Sequence, residues 1–458
     1  MPDTAARRIG RIGRRTDIAD IADIADIADI ADIADIADIA DAGSDALSRK
    51  AVRRRHVPAS DRRVVSHRLY LYTPSVIKRS GSARNARQTT LRRVRIALLV
   101  PSGIALLLGL DAGLLLLGVP APLTTTRLPA VHGMVMTIGF VGALIALERA
   151  VAAGGRWAYV APLGMSLGAL AALGPAPLWV GQSLMLLGSG ALLLVYLPLW
   201  RRSYDPAVAI QFSGAFLAVG ATGLWLGGVD IPRLVPWLTG FLLLTIAGER
   251  VELARLGRLA LDTSRRERHD GQALALALLV VLVVAVAALW PDVGLPTFGV
   301  VLVLLAIVYG SRDIALRTVR STGLPRFSAA CLLAGYGWLV VAGLLWLRPT
   351  LSGLRYDAVL HATFLGSVMS MILAHAPVIL PAVLRRPLPY TPAFWVVAAL
   401  LHGSLLVRVI ADLAGSEPVR AVAGTLNVLA LLALVATAVA SSAGATSTRS
   451  PRADRQEA

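Results

Sequence analysis

From residue 94 onward the sequence is a succession of apolar runs parted by short clusters of Pro, Gly and Arg. Each run is about 20 residues long, enough for an α-helix to cross the roughly 30 Å hydrocarbon core of a bilayer. Inside such a core every backbone N–H and C=O needs a partner from the chain itself, so repeated runs of this length restrict the fold to a bundle of helices. A soluble chain would interleave polar residues at the helix or strand period. The mean hydropathy of +0.67 and the 56% hydrophobic content point the same way, with Leu, Ala, Val and Gly rather than aromatics carrying the mass. The chain reads as an all-α polytopic membrane protein.

Twelve spans are expected, near 94–118, 128–150, 157–174, 177–199, 206–227, 233–249, 272–290, 295–311, 326–347, 357–380, 388–413 and 418–441. Charge tests the count. If sides alternate and the residues before the first span are cytoplasmic, 22 Lys and Arg from residue 92 onward fall on the cytoplasmic side. Only Arg127, Arg233, Arg348, Arg355 and Arg420 fall in outer loops, while Arg408 lies within a span. That asymmetry follows the positive-inside rule and places both termini in the cytoplasm of a bacterial cell whose inner (plasma) membrane the chain crosses repeatedly. The same placement explains the net charge of +17 without a nucleic-acid partner.

The chain divides into a tail (1–90), a twelve-helix transmembrane domain (91–442) and a short C-terminal tail (443–458). Residues 17–40 are eight copies of Asp-Ile-Ala, and the three-residue period fits neither helix nor strand. With its Arg- and Ser-rich surroundings this segment is expected to be disordered, as is the C-terminal tail. No signal-peptide apolar region precedes residue 94. Cys331 is the single cysteine, which excludes an internal disulfide or a thiolate metal cluster.

A faint internal repeat is present. Span 2 contains "GFVGALIALER" and span 6 contains "GFLLLTIAGER", with Gly-Phe and Glu-Arg at equal spacing. Span 10, "VLHATFLGSVMSMILAHAPVILP", opens like span 2 with a histidine just inside the outer face. Spans four apart suggest three four-helix units, with spans 2, 6 and 10 around one centre. The plainer reading is that Glu148 and Glu249 are interfacial residues paired to the arginines beside them.

Four histidines lie within spans: His132 in span 2, His361 and His375 in span 10, and His402 in span 11. An ionisable group inside a membrane is costly and marks function or a helix–helix hydrogen bond. His132 and His361 sit at matching depth. Met136, Gly139 and Ala143 follow His132 on one helical stripe, which offers room for a flat macrocycle. On an ideal helix His361 and His375 would be about 40° apart around the axis and so share a face, with Met371 at −4 from His375. Neutral imidazole ligates iron or copper, and a thioether favours Cu(I). His132, His361, His375 and His402 are therefore the candidate metal ligands, with His132 and His361 as an axial pair for haem. Arg408 and Asp412, at i and i+4, are expected to pair, and Arg408 would also suit a haem propionate or an anionic substrate.

At these residues a resemblance enters. Twelve spans with histidines at the outer ends of spans 2 and 10 look like the catalytic subunit of haem-copper oxidases, which implies a low-spin haem held by His132 and His361. "HGMVMTIGFVGALI", and "HATFLGSVMSMILAH" followed by "RRPL", are similar to the early and late spans of the NnrS family, haem- and copper-associated membrane proteins linked to nitric oxide stress. The resemblance implies an NnrS-like protein that binds haem or copper and acts in the nitric oxide response. The oxygen-reducing binuclear centre is not implied: span 6 has no histidine, span 7 has no His-His pair, and span 10 lacks closely spaced histidines. Two other readings stand beside it. A twelve-helix transporter of a small solute is suggested by the basic segment near 250–271, which splits the spans six and six. A structural membrane protein would use its histidines only for hydrogen bonds. No Ser-His-Asp set, phosphate loop or paired carboxylates in one span argue for a hydrolase. The expected partners are the lipid bilayer and a small molecule or metal.

Overall fold

The computed structural model describes residues 74–258, 263–348, 352–384 and 388–447. The Asp-Ile-Ala repeat, Arg385 and Arg386 of the "RRPL" motif, and residues 448–458 lie outside them. By packing the chain divides into two units, Met1–Arg87 and Gln88–Ala458, and the bundle belongs to the second.

The described residues form helices and turns without a strand. The long helices are α1 (Pro74–Leu116), α2 (Arg127–Ala153), α3 (Val160–Leu173, after a 3₁₀ turn at Arg156–Tyr159), α4 (Leu178–Ser203), α5 (Pro206–Leu226) and α6 (Ile231–Arg258). They continue with α7 (Thr263–Leu289), α8 (Pro291–Gly310), α9 (Gly323–Trp346), α10 (Gly353–Leu384), α11 (Ala393–Ala414) and α12 (Glu417–Ser447). Eleven of the twelve are long and apolar enough to cross a membrane. The exception is α3, whose regular part has only 14 residues. It still runs the length of α2: the Arg127 guanidinium at the start of α2 donates to the carbonyls of Gly174 and Ala176, just past the end of α3. What α3 lacks in length it makes up in closeness. A Cβ on Gly164 would lie 2.8 Å from Gly188 Cα, and one on Gly181 would lie 2.5 Å from Ala172 N, so the α3 and α4 backbones touch through small residues, as membrane helices do.

Two boundaries differ from the sequence reading. The expected tail extends to residue 90, but α1 begins at Pro74, a residue suited to the first helical turn because it has no N–H to leave unpaired. Span 11 was expected from residue 388, but α11 begins at Ala393, past Pro389 and Pro392, which disfavour helix in the residues before them. Elsewhere local chemistry sets the ends. Asp205 caps α5 by accepting from Ala207 N at 3.0 Å, with Pro206 behind it. Gly154 and Gly415, at φ +75° and +74°, terminate α2 and α11 in the left-handed conformation that glycine adopts without strain.

Helices α2, α6 and α10 touch one another, the arrangement the faint repeat predicts. They are also the most buried spans, at 67%, 78% and 61% of their apolar windows against 33–56% for the other eight. Neighbours in sequence pack around them, and Leu117, just past α1, meets Gly424 of α12. The outward faces are apolar: Leu278, Leu282 and Leu289 of α7 and Val396 and Ile410 of α11 are all more than half exposed, as lipid contact requires. The chain is a multi-pass membrane protein.

Candidate functional site

Both histidine-bearing inner helices change their winding just after the histidine. Residues Val135–Gly142 of α2 and Ala362–Val368 of α10 are π-helical. Such segments are rare and gather at functional sites. Each holds a glycine against a ring from a neighbouring helix: Gly142 against Phe241 of α6, and Gly366 against Trp338 of α9. The wider turn shifts the helical register of the residues that follow. No hydrophobic period at 3.6 residues can disclose it, so the sequence reading missed both segments.

The two outer histidines are held alike. His132 Nδ1–H donates to the Gly109 carbonyl of α1 at 2.9 Å. Its ring lies along Gly113 of the same helix, where a Cβ would be 3.6 Å from His132 Cε1. His361 Nδ1–H donates to the Asp357 carbonyl at 2.9 Å, with Asp357 Oδ1 at 3.3 Å. A carbonyl only accepts, so Nδ1 carries a proton in both rings, and neither Nε2 has a hydrogen-bond partner among the described residues. His132 lies within electrostatic reach of His361, Asp357 and Arg408. His132 and His361 thus lie at the same end of the inner helices.

Around them runs an ion-pair network that the sequence assigned differently. Arg408 does not pair with Asp412. Its Nε and Nη2 both donate to Asp357 Oδ2, at 3.2 and 2.9 Å. Asp412 faces Arg420 instead, at 3.2 Å, and Arg420 also reaches Asp357 at 3.4 Å and Glu417 at 3.2 Å. The cause is tertiary: the tight turn at Gly415 sets the start of α12 beside the end of α11, and α10 supplies a better-placed carboxylate. Arg408 is therefore committed to Asp357 rather than free for a propionate. Asp357 and Arg420 are the residues the sequence reading overlooked. The one available signal was the Asp-x-x-x-His spacing of Asp357 and His361, which puts them on one helix face.

The other two histidines stand elsewhere. His375 Nδ1–H donates to the Met371 carbonyl at 2.7 Å, and its Nε2 accepts from Arg250 Nη1 at 3.4 Å, so both nitrogens are engaged. Arg250 is anchored by Asp313 at 3.0 and 2.6 Å, and Asp313 also accepts from Tyr336 Oη at 2.8 Å and Ala315 N at 2.8 Å. His402 Nδ1 accepts from Trp338 Nε1–H at 3.1 Å, which puts the proton on a buried Nε2 without a partner. Neither ring presents a lone pair in this arrangement. The shared face expected for His361 and His375 also fails. The π segment between them removes about one residue's worth of rotation, roughly 100°. Met371 packs against Gly335 of α9, and Met136 against Gly109, as core filling.

The stripe beneath His132 is closed as well. A Cβ on Gly139 would run into Ala169 of α3 and lie 3.8 Å from Ala105 of α1, so that face holds no slot for a macrocycle. Among the described residues no three His, Cys, Asp or Glu side chains converge as a metal site.

No curated protein and no solved structure matches the chain. Residues 95–443 match the model of a family described as a domain of unknown function (DUF8744). That stretch runs from the apolar part of α1 to the last turns of α12 and contains both polar clusters, and the chain belongs to this family.

Proposed function

We propose that the protein is an NnrS-like membrane protein that ligates haem iron through His132 and His361. One observation carries the reading: two histidines on touching inner helices, each followed by a π segment, each with Nδ1–H spent on a backbone carbonyl and Nε2 left free. This is how metal-ligating imidazoles are oriented and made more basic. Two donors without a third carboxylate, thiolate or imidazole suit an iron whose equatorial ligands come from a porphyrin. The donor set fits haem, whereas the Gly139 stripe does not supply its space. Copper at the same pair is the alternative occupant. Iron held by two imidazoles would supply electron transfer. Gly109 and Asp357 orient the rings, and Arg408 is a positioning residue that fixes Asp357. The link to nitric oxide rests on the NnrS resemblance.

Protein purified in detergent from haem-replete cells should show a Soret band that sharpens on reduction. His132→Ala and His361→Ala should each remove or shift it, and His269→Ala should not. Folded protein that is colourless would overturn the haem reading. Copper in that sample, lost in both histidine variants, would assign the pair to copper.

We further propose that the membrane is the bacterial inner membrane and that both termini are cytoplasmic, supported by the charge asymmetry of the loops. Reporter fusions after residues 202, 268 and 386 should all report cytoplasm. A periplasmic signal from any of them would break the assignment.

A further inference from the structure

A groove of about 240 Å³ opens on the outer surface between α8 and α9, where α8 ends and α9 begins. Ile307 and Gly310 of α8 line one side, and Gly337 and Val340 of α9 line the other. Leu316, on the short helical turn Ala315–Thr318 that joins the two helices, lies at its end. The Tyr336 ring backs it, held so close to Gly310 that a Cβ there would be 3.3 Å from Tyr336 Cγ. The lining is almost wholly apolar. The groove exists because one side chain is missing: Gly337 is exposed, and a Cβ on it would meet nothing within 4 Å.

Three exposed arginines rim the aqueous end. Arg312 follows the lining residue Ser311, Arg317 follows Leu316, and Arg320 lies about one turn past Leu316. Arg312 Nη1 donates to Gln272 Oε1 of α7 at 2.7 Å, which steadies it at the rim. The Arg317 and Arg320 guanidinium groups have no partner among the described residues. The one acidic residue of the connection, Asp313, is spent on Arg250, Tyr336 and the Ala315 N–H, so it does not offset them. Ile314 and Leu316 of the same segment are about half exposed, as in a stretch lying along the headgroup boundary. An apolar groove inside a bilayer is not left empty, because a void forfeits its dispersion contacts. Nor does it draw in an apolar partner by the hydrophobic effect, since lipid tails are as apolar as leucine. Shape and rim charge therefore choose the occupant. One turn of α-helix, about 10 Å wide, takes roughly 400 Å³, more than the groove offers, whereas a single acyl chain is slender. Guanidinium groups match phosphate oxygens, and basic pockets between membrane helices hold anionic headgroups.

We propose that this groove binds an anionic phospholipid, with one acyl chain seated over Gly337 and the phosphate held by Arg317 and Arg320. Tyr336 ties the site to the interior of the bundle. Its ring backs the groove, and its hydroxyl donates to Asp313 at 2.8 Å, the carboxylate that anchors Arg250 of α6. A seated chain supports that ring from the lipid side. The site is separate from the histidine pair and stands whichever metal, if any, that pair holds.

Native mass spectrometry and thermal unfolding of the full chain in detergent, with phosphatidylglycerol or phosphatidylcholine of identical chains added, test this. The wild type should retain phosphatidylglycerol in preference and gain stability from it. Arg317→Gln combined with Arg320→Gln should bind it about 30-fold more weakly, at about fivefold per arginine beside an anionic headgroup. Arg156→Gln combined with Arg201→Gln, which removes two exposed arginines beside α3 and α4, should bind it as the wild type does. Gly337→Leu should lose the lipid, because its side chain fills the slot from a Cβ that clashes with nothing. Equal retention of the two lipids, or retention unchanged in the Arg317/Arg320 variant or in folded Gly337→Leu, would overturn the proposal, as would an equal loss in the Arg156/Arg201 control. If Gly337→Leu does not fold, the Arg317/Arg320 variant against its control decides. Glycerophosphate, a headgroup without chains, should not stabilise the protein. Stabilisation equal to that by the lipid would make this a site for free phosphate and overturn the proposal. A dimer that Gly337→Leu splits, with no lipid retained, would give the groove to a second copy of the chain and also overturn it.

Discussion

Arg408→Met should be among the most destabilising single substitutions in the bundle, at about 3–5 kcal/mol, the cost of removing one partner of a buried ion pair. Both Arg408 hydrogen bonds go to Asp357 Oδ2, and the two side chains are 6% and 17% exposed. Without the guanidinium, Asp357 keeps the His361 ring at 3.3 Å and Arg420 at 3.4 Å, the latter itself shared with Asp412 and Glu417. The carboxylate is then a charge in an apolar setting without adequate compensation. Methionine preserves most of the aliphatic stem, so the loss reports charge rather than volume. Adding Asp357→Asn to Arg408→Met should restore most of the stability, since the orphaned charge goes with it. Unfolding in detergent measures both. A loss below about 1 kcal/mol for Arg408→Met would show the pair behaving like an exposed surface bridge. It would also remove the reason to treat Asp357 as a fixed support for His361.

The bundle was legible in the sequence because a bilayer admits few alternatives. An apolar run of sufficient length has to be a helix, so the spans could be placed from hydropathy and tested by loop charge. Packing among helices was legible only where the chain repeats itself, as with Gly-Phe and Glu-Arg in α2 and α6, and there it placed α2, α6 and α10 together. The site was legible in its residue types and not in its partners. His132 and His361 stood out as costly groups in apolar runs. Asp357 passed unnoticed at the first position of span 10, where a charge is unremarkable, and Arg408 was given to Asp412 because i, i+4 proximity is the one pairing a sequence can display. Asp313 and Arg250 are 63 residues apart, and no local pattern joins them. The π segments escaped for a different reason. They break the very period used to find helix faces, so the stripe drawn from His132 through Gly139 was drawn on a helix that α2 does not continue to be.

Gly181→Ala should cost about 1–3 kcal/mol, the range for an overpacked interior, although it adds one methyl group. The new Cβ would lie 2.5 Å from Ala172 N, 2.7 Å from Gly168 O and 2.8 Å from Ala172 Cα. All three are backbone atoms, so no rotamer relieves the clash and the two helices must part. Gly190 of the same helix is the control: a Cβ there meets nothing within 4 Å, and Gly190→Ala should be neutral or stabilising by up to about 1 kcal/mol through helix propensity. The consequence should reach the histidine site. Helix α3 is the one long helix that falls short of a full apolar span, so its position depends on its contact with α4. Ala169 of α3 fills the face of α2 at Gly139, inside the π segment that follows His132. Moving α3 away opens that face and frees α2 to rewind to a regular helix, which would turn His132 away from the Gly109 carbonyl. Gly181→Ala should therefore weaken whatever spectral signal His132 and His361 support, whereas Gly190→Ala should leave it intact. Equal stability and equal signal in the two variants would mean that the α3–α4 contact neither holds α3 in place nor shapes the site.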